Sequence, residues 1–294
     1  KKKLNLWTDL ERVQLGKLKK ILIYAYNNIP FYKEWFDNNQ FNPYKFKNKT
    51  VIITGGGTGI GYTIAESFLE SGANIVIVGR RQTILDKAIA SIKSVHSSLA
   101  GNIIAIKCDA SQEAEVNDMF DKVIKRFSTI DILINSCGTW LIKSISKINS
   151  AEIDEQYNNL YKTTILCTKY AALHMNDGGV IINIGSFAGI MGIRDSSIYS
   201  SLKTAINAFT KSSAFELGKN GIRVNCIIPG VIRTDMTSDY IDANTQKLLK
   251  PIALGRFGES ADIANSVLFL ASDYSSYITG SILEITGGKY ISQL

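Results

Sequence analysis

Val51-Ile52-Ile53-Thr54-Gly55-Gly56-Gly57-Thr58-Gly59-Ile60-Gly61 decides how the rest of the chain is read. β-Branched apolar residues run straight into a glycine cluster. Beyond it, Ile64, Ala65, Phe68 and Leu69 return at helical spacing. The order is a buried strand, a tight turn and a helix start, predicted over 60–70. Glycines at such a turn let the backbone bend sharply and bring main-chain N–H groups close to a phosphate at the helix N-terminus. A glycine-rich string alone is weak evidence, because a flexible loop has the same composition. The strand before and the helix after are what a dinucleotide turn requires.

Outward from this turn, strands and helices alternate. Strands are expected at 51–54, 74–78, 103–107, 131–134, 180–184, 223–227 and 282–285. Helices are expected at 60–70, 82–96, 112–127, 151–175, 199–217 and 260–271. This rhythm predicts an α/β fold, a doubly wound parallel sheet of about seven strands with helices on both faces. Unbroken apolar runs such as Ile132-Leu133-Ile134 and Val180-Ile181-Ile182 fit strands covered on both sides.

Composition narrows the function classes. The 294 residues are 45% hydrophobic and 20% charged, and the net charge is +7. All of that charge is at one end. Residues 1–50 hold 11 lysines and arginines against 4 acids, while the remainder is balanced at 22 of each sign. A neutral body argues against a nucleic-acid-binding protein. Cys108, Cys137, Cys167 and Cys226 are widely spaced, and His96 and His174 are the only histidines, so no metal cluster can be drawn. The cysteines read as small buried hydrophobes in a reducing, cytoplasmic setting. No apolar run reaches membrane-spanning length, and the basic start is not followed by a signal-peptide core.

The chain divides into a helical extension over 1–47 and a catalytic domain over 48–294. In the extension, Thr8 with Glu11 is expected to make a capping box, and Leu10, Val13, Leu18, Ile21, Leu22 and Ala25 fall at helical spacing. The stretch from Leu18 to Tyr32 resembles the opening of phenylacetate–CoA ligase-type enzymes, which would tie the arm to acyl-thioester metabolism. A helical cap or an oligomer contact accounts for it equally well.

After the second expected strand the chain reads Gly79-Arg80-Arg81. In a dinucleotide fold an acid here bonds the 2′-hydroxyl of NAD, whereas arginine accommodates the 2′-phosphate of NADP. Two guanidiniums and no acid favour NADP(H).

Ser186, Tyr199 and Lys203 form the strongest constellation. Tyr199 and Lys203 are four apart, one turn along the same helix face. An isolated Tyr-x-x-x-Lys is common on helix surfaces. Ser186, just past an apolar strand and 13 residues before Tyr199, lifts this pair above that background. The spacing resembles that of the short-chain dehydrogenase/reductase family, as do the Gly55-x-x-x-Gly59-x-Gly61 turn and the whole of 48–294.

The resemblance implies a Rossmann-type fold and hydride transfer between a nicotinamide and a carbonyl. A phenol, Tyr199, would supply the proton, and an ammonium nearby, Lys203, would favour its phenolate. Ser186 would hold the carbonyl oxygen. Cofactor contacts are implied at Gly55, Thr58, Gly59, Ile60 and Gly61, at Arg80 and Arg81, and at Tyr199 and Lys203. Asp109 and Ala110 match the family's adenine-side turn. Asn135-Ser136-Cys137-Gly138 is close to the family's Asn-Asn-Ala-Gly, implying Asn135 and Gly138. Pro229-Gly230-Val231-Ile232-Arg233-Thr234 matches its Pro-Gly turn, implying Pro229, Gly230, Ile232 and Thr234 at the nicotinamide. Residues 235–254, with Met236, Tyr240, Ile241 and Leu248, would form a substrate lid.

The tail, from Gly255-Arg256-Phe257-Gly258 to Thr286-Gly287-Gly288, is similar to that of 3-oxoacyl-thioester reductases, whose last helix and strand build a tetramer interface. The expected substrate is a ketone, with a 3-oxoacyl thioester included, and the expected state a homo-oligomer, tetramer or dimer. One departure stands out: Leu160 occupies the position of the family's helix asparagine, with Asn159 one residue early. That puts the proton relay from Lys203 in doubt and keeps a weakly active NADP-binding sensor open as an alternative. A 2,4-dienoyl-CoA-type reductase is a second alternative, against which Tyr199 counts.

Overall fold

The computed structural model describes residues 46–289. The chain separates into units 1–45 and 46–294. The expectations for the N-terminal arm therefore lie outside the described residues, apart from Phe46 and Lys47. Phe46 is buried edge-on against Phe68, with ring centroids 4.8 Å apart.

β1 (Thr50–Thr54), α1 (Gly59–Glu70), β2 (Asn74–Gly79), α2 (Gln82–Val95), β3 (Ile103–Lys107), α3 (Glu113–Phe127) and β4 (Ile132–Asn135) make the first half. The second half holds α4 (Ser150–Gln156), α5 (Thr163–His174), β5 (Val180–Ile184), α6 (Ser197–Gly218) and β6 (Arg223–Pro229). A short β7 (Ile232–Arg233), α7 (Ser238–Ala243), α8 (Thr245–Leu249), β8 (Gly258–Glu259), α9 (Ser260–Ala271) and β9 (Ile282–Ile285) complete it. The main sheet has seven strands in the order β3-β2-β1-β4-β5-β6-β9, all pairs parallel. This is the Rossmann-type sheet expected from the alternation.

The strands lie where the apolar runs predicted them, because a strand covered on both faces has no polar side to expose. Every residue of β1, β4 and β5 is buried. On one face, α3 contributes Val116, Met119, Phe120 and Val123, and α5 contributes Leu166, Cys167 and Ala171, to a core shared with Ile52, Val76 and Leu133. On the other, α1 and α9 pack together. Helix ends carry their own signals. Glu113 and Glu115 open α3 and Lys125 and Arg126 close it, complementing the dipole. Asn149 and Glu152 form a capping box at the start of α4.

The expected single helix over 151–175 is interrupted. Tyr157–Lys162 forms a π-helical segment between α4 and α5. The widened turn redirects two carbonyls. Asn159 O accepts from Thr163 Oγ1 at 3.1 Å, and Leu160 O from Thr164 Oγ1 at 2.9 Å. Threonine hydroxyls reaching back one turn thus satisfy groups that a regular ladder would bond.

Candidate active site

The sheet order reverses direction beside β1, where β2 leads outward one way and β4 the other. A crevice opens at that point along the carboxyl ends of the parallel strands. It is a cleft of about 560 Å³.

The β1–α1 turn forms its floor. Gly59 takes a left-handed φ of +53°. A Cβ on Gly61 would lie 2.4 Å from the carbonyl oxygen of Gly55, so only glycine allows this close crossing of the turn. Thr58 precedes the helix in extended conformation, and its side chain makes no capping bond. The first N–H groups of α1 are therefore left without a side-chain cap from Thr58, as an anion-binding helix start would require. Arg80 and Arg81 follow β2 and line the same end of the cleft.

Ser186, Tyr199 and Lys203 meet at the other end. Ser186 follows β5, and its Oγ accepts from the Ala188 N–H at 3.2 Å. Tyr199 and Lys203 project from the first turns of α6. Burial raises the Tyr199 phenol above its usual value, and a hydrogen bond with Ser186 partly offsets this. Burial brings the Lys203 ammonium down to about 8. Lys203 Nζ donates to Ile184 O at 2.7 Å and lies 5.8 Å from the Tyr199 ring centroid. Desolvation therefore dominates at the phenol, and the pull expected from Lys203 is not among the causes acting on it. A buried phenol keeps its proton, which is the form an acid needs.

Thr58, Ile60, Asp109, Ala110, Gly138, Pro229, Gly230, Ile232 and Thr234 line the cleft along with the glycines of the turn. Asn135, also expected at the cofactor, is the exception among these in that it does not line the cleft. Its side chain is buried behind the wall, where Nδ2 donates to Thr168 Oγ1 at 3.1 Å and to Asn183 Oδ1 at 2.8 Å. It fastens β4 to α5 and β5 instead of reaching the cleft.

Leu160 is fully buried and packs over Gly138, where a Cβ would lie 2.9 Å from its Cδ2. The bend in the helix is present without an asparagine there.

Met236, Tyr240, Ile241 and Leu248 all line the cleft, as the lid expectation required. Sequence reasoning missed Trp140 and Asn159. Trp140 Nε1 donates to Ser196 Oγ at 3.0 Å. Its indole stands edge-on to Tyr240 with centroids 5.0 Å apart and lies 6.5 Å from the Tyr199 ring. The carbonyl end is therefore walled by rings and aliphatic side chains. No local pattern flagged either residue.

The residues fit a nicotinamide dinucleotide. A helix N-terminus and two guanidiniums would suit the anionic half, and a hydroxyl, a phenol and an ammonium line the other end of the cleft. Among the described residues no cluster of histidine, cysteine and acids could hold a metal, and no helix is long and apolar enough to cross a membrane.

Residues 55–289 match the family model described as enoyl-(acyl carrier protein) reductase. A 3α-hydroxysteroid dehydrogenase from Mediterraneibacter gnavus is 38% identical over 245 residues, covering 82% of this chain and 96% of that protein. A 3-oxoacyl-acyl-carrier-protein reductase from Staphylococcus epidermidis is 34% identical over 248 residues, covering 83% and 100%. Among solved structures, a short-chain dehydrogenase/reductase (glucose/ribitol dehydrogenase) from Brucella melitensis superposes with a TM-score of 0.80 at 29% identity, over 85% of this chain and 99% of that one. A short-chain dehydrogenase from Burkholderia cenocepacia in complex with NADP gives 0.77 at 28%, over 83% and 99%. The family match begins at residue 55, so it does not support the ligase likeness of the N-terminal arm. With the sheet order, the glycine turn and the identity over most of its length in agreement, the chain belongs to the short-chain dehydrogenase/reductase family of oxidoreductases.

Proposed function

We propose that the chain is an NADPH-dependent reductase that converts a ketone to a secondary alcohol, with Ser186, Tyr199 and Lys203 as its catalytic residues. The carrying observation is that these three groups line one cleft with the glycine turn and Arg80. The arginines at the end of β2 and the NADP complex of a structural neighbour support the choice of cofactor. The remaining cofactor contacts proposed are those from Gly55 to Gly61, with Arg81, Asp109, Ala110, Gly138, Pro229, Gly230, Ile232 and Thr234.

When bound, the reduced nicotinamide supplies a hydride to the carbonyl carbon. Ser186 Oγ–H holds the carbonyl oxygen and stabilises the negative charge that grows on it. The Tyr199 phenol, kept protonated by burial, gives its proton to that oxygen as the C–H bond forms. Lys203, brought down to about 8 by burial, would in its charged form stabilise the phenolate that this leaves. The rings of Trp140 and Tyr240 exclude water from this end.

Relatives named for 3-oxoacyl carrier-protein reduction and for hydroxysteroid oxidation leave two substrate classes, an acyl thioester and a fused-ring ketone. The enzyme is taken to be a cytoplasmic homo-oligomer with a catalytic domain from residue 48. The dienoyl-CoA alternative is disfavoured by a phenol beside Ser186.

The test is Tyr199→Phe, assayed by NADPH oxidation with an acetoacetyl thioester and a cyclic ketone in parallel. Turnover is expected to fall by about 10²–10⁴-fold with NADPH affinity retained. Undiminished turnover would falsify the assignment.

A further inference from the structure

The anionic end of the cleft holds a contact that the proposed chemistry does not use. Arg80 Nη1 donates to Asn159 Oδ1 at 2.9 Å, across 79 positions of sequence. Asn159 is 8% exposed and belongs to the π-helical segment, while Arg80 follows β2, and both line the crevice. Asn159 Nδ2 faces Glu155 Oε1 at 3.4 Å. The amide is therefore oriented from both sides, since a guanidinium only donates and a carboxylate only accepts.

An amide does something here that its neighbours in shape or charge do not. A carboxylate at 159 would pair with Arg80 and cancel its charge. An alkyl side chain would leave a long, exposed arginine to rotate. The amide carbonyl takes one N–H and leaves the charge of Arg80, which lines the cleft, uncancelled. Glu155 is kept one hydrogen bond away, on the amide.

We propose that Asn159 is a positioning residue that sets selectivity for a 2′-phosphorylated dinucleotide, by holding Arg80 across the adenosine end without neutralising it. This rests on Arg80 being the 2′-phosphate ligand of the proposed function. The isosteric Asn159→Asp variant converts the tether into an ion pair. Asn159→Leu removes it.

The experiment measures binding of 2′,5′-ADP and 5′-AMP by calorimetry on the full chain, so no turnover is involved. The wild type is expected to prefer 2′,5′-ADP by about tenfold or more, and Arg80→Ala to lose that preference. Asn159→Asp is expected to lower the preference about tenfold with 5′-AMP affinity unchanged, and Asn159→Leu to lower it about threefold. In the Arg80→Ala background Asn159→Asp should change nothing further, because its effect passes through the arginine.

A wild type indifferent to the 2′-phosphate would overturn both the cofactor assignment and the role of Asn159. Should the preference persist in both Asn159 variants, the tether is overturned and the cofactor assignment stands.

Discussion

Lys203 points its ammonium at the Ile184 carbonyl oxygen, 2.7 Å away, and not at the Tyr199 hydroxyl four residues earlier on the same helix. Desolvation by burial brings the ammonium down to about 8. In the proposed mechanism Lys203 acts in its charged form, which is present below that pH and lost above it. For ketone reduction, kcat/KM is expected to decline above about pH 8, and Lys203→Met to remove that limb along with most of the activity. The same shift has a stability consequence. An unfolded lysine keeps its proton up to its ordinary value of 10.5, so folding releases a proton between about pH 8 and 10.5 and stability rises across that window. A wild-type melting temperature lower at pH 9.5 than at pH 8, after correction for other groups with Lys203→Met, would contradict this.

Asn135 belongs to a buried chain of hydrogen bonds running from Thr168 through Asn183 to Thr210, whose hydroxyl donates to Ile206 O. It joins α5, β4, β5 and α6 below the catalytic groups. Asn135→Ala leaves buried partners unsatisfied, and a loss of about 2–3 kcal/mol is expected in urea unfolding. The ratio of NADPH to NADH affinity should not move. A change in that ratio would return Asn135 to the cofactor contacts.

Leu160 fills the space above Gly138 completely. The bend that an asparagine would otherwise accompany is carried by Thr163 and Thr164. Restoring the family residue as Leu160→Asn should therefore cost about 2–4 kcal/mol of stability and leave kcat no higher. A faster enzyme would mean that leucine does limit the proton relay.

Trp140 is fixed by Ser196 and packs on Tyr240 from the lid. Trp140→Ala removes one wall at the carbonyl end without touching the nucleotide turn. KM for ketone substrates is expected to rise about tenfold, with NADPH dissociation constants within about twofold of wild type. Steady-state kinetics beside fluorescence titration with the cofactor separate the two effects.

Wherever the physics is local, the residues alone were enough. Apolar runs with no polar face named the strands, glycines named the β1–α1 turn, and a four-residue step put Tyr199 and Lys203 on one face. Threonines at 163 and 164 give no such cue, because a hydroxyl reaching back one turn is compatible with an ordinary helix, and the π-helical break went unseen. What remained for the tertiary structure was the choice of partners. Asn135 and Asn159 are both asparagines near the crevice, and only the pairing of distant strand ends sends one into the sheet and the other onto Arg80. The same holds for Trp140 over Tyr199 and for Lys203 on Ile184. A hydrogen bond or a desolvated charge depends on which groups the fold brings within a few ångströms, and sequence distance carries no record of that.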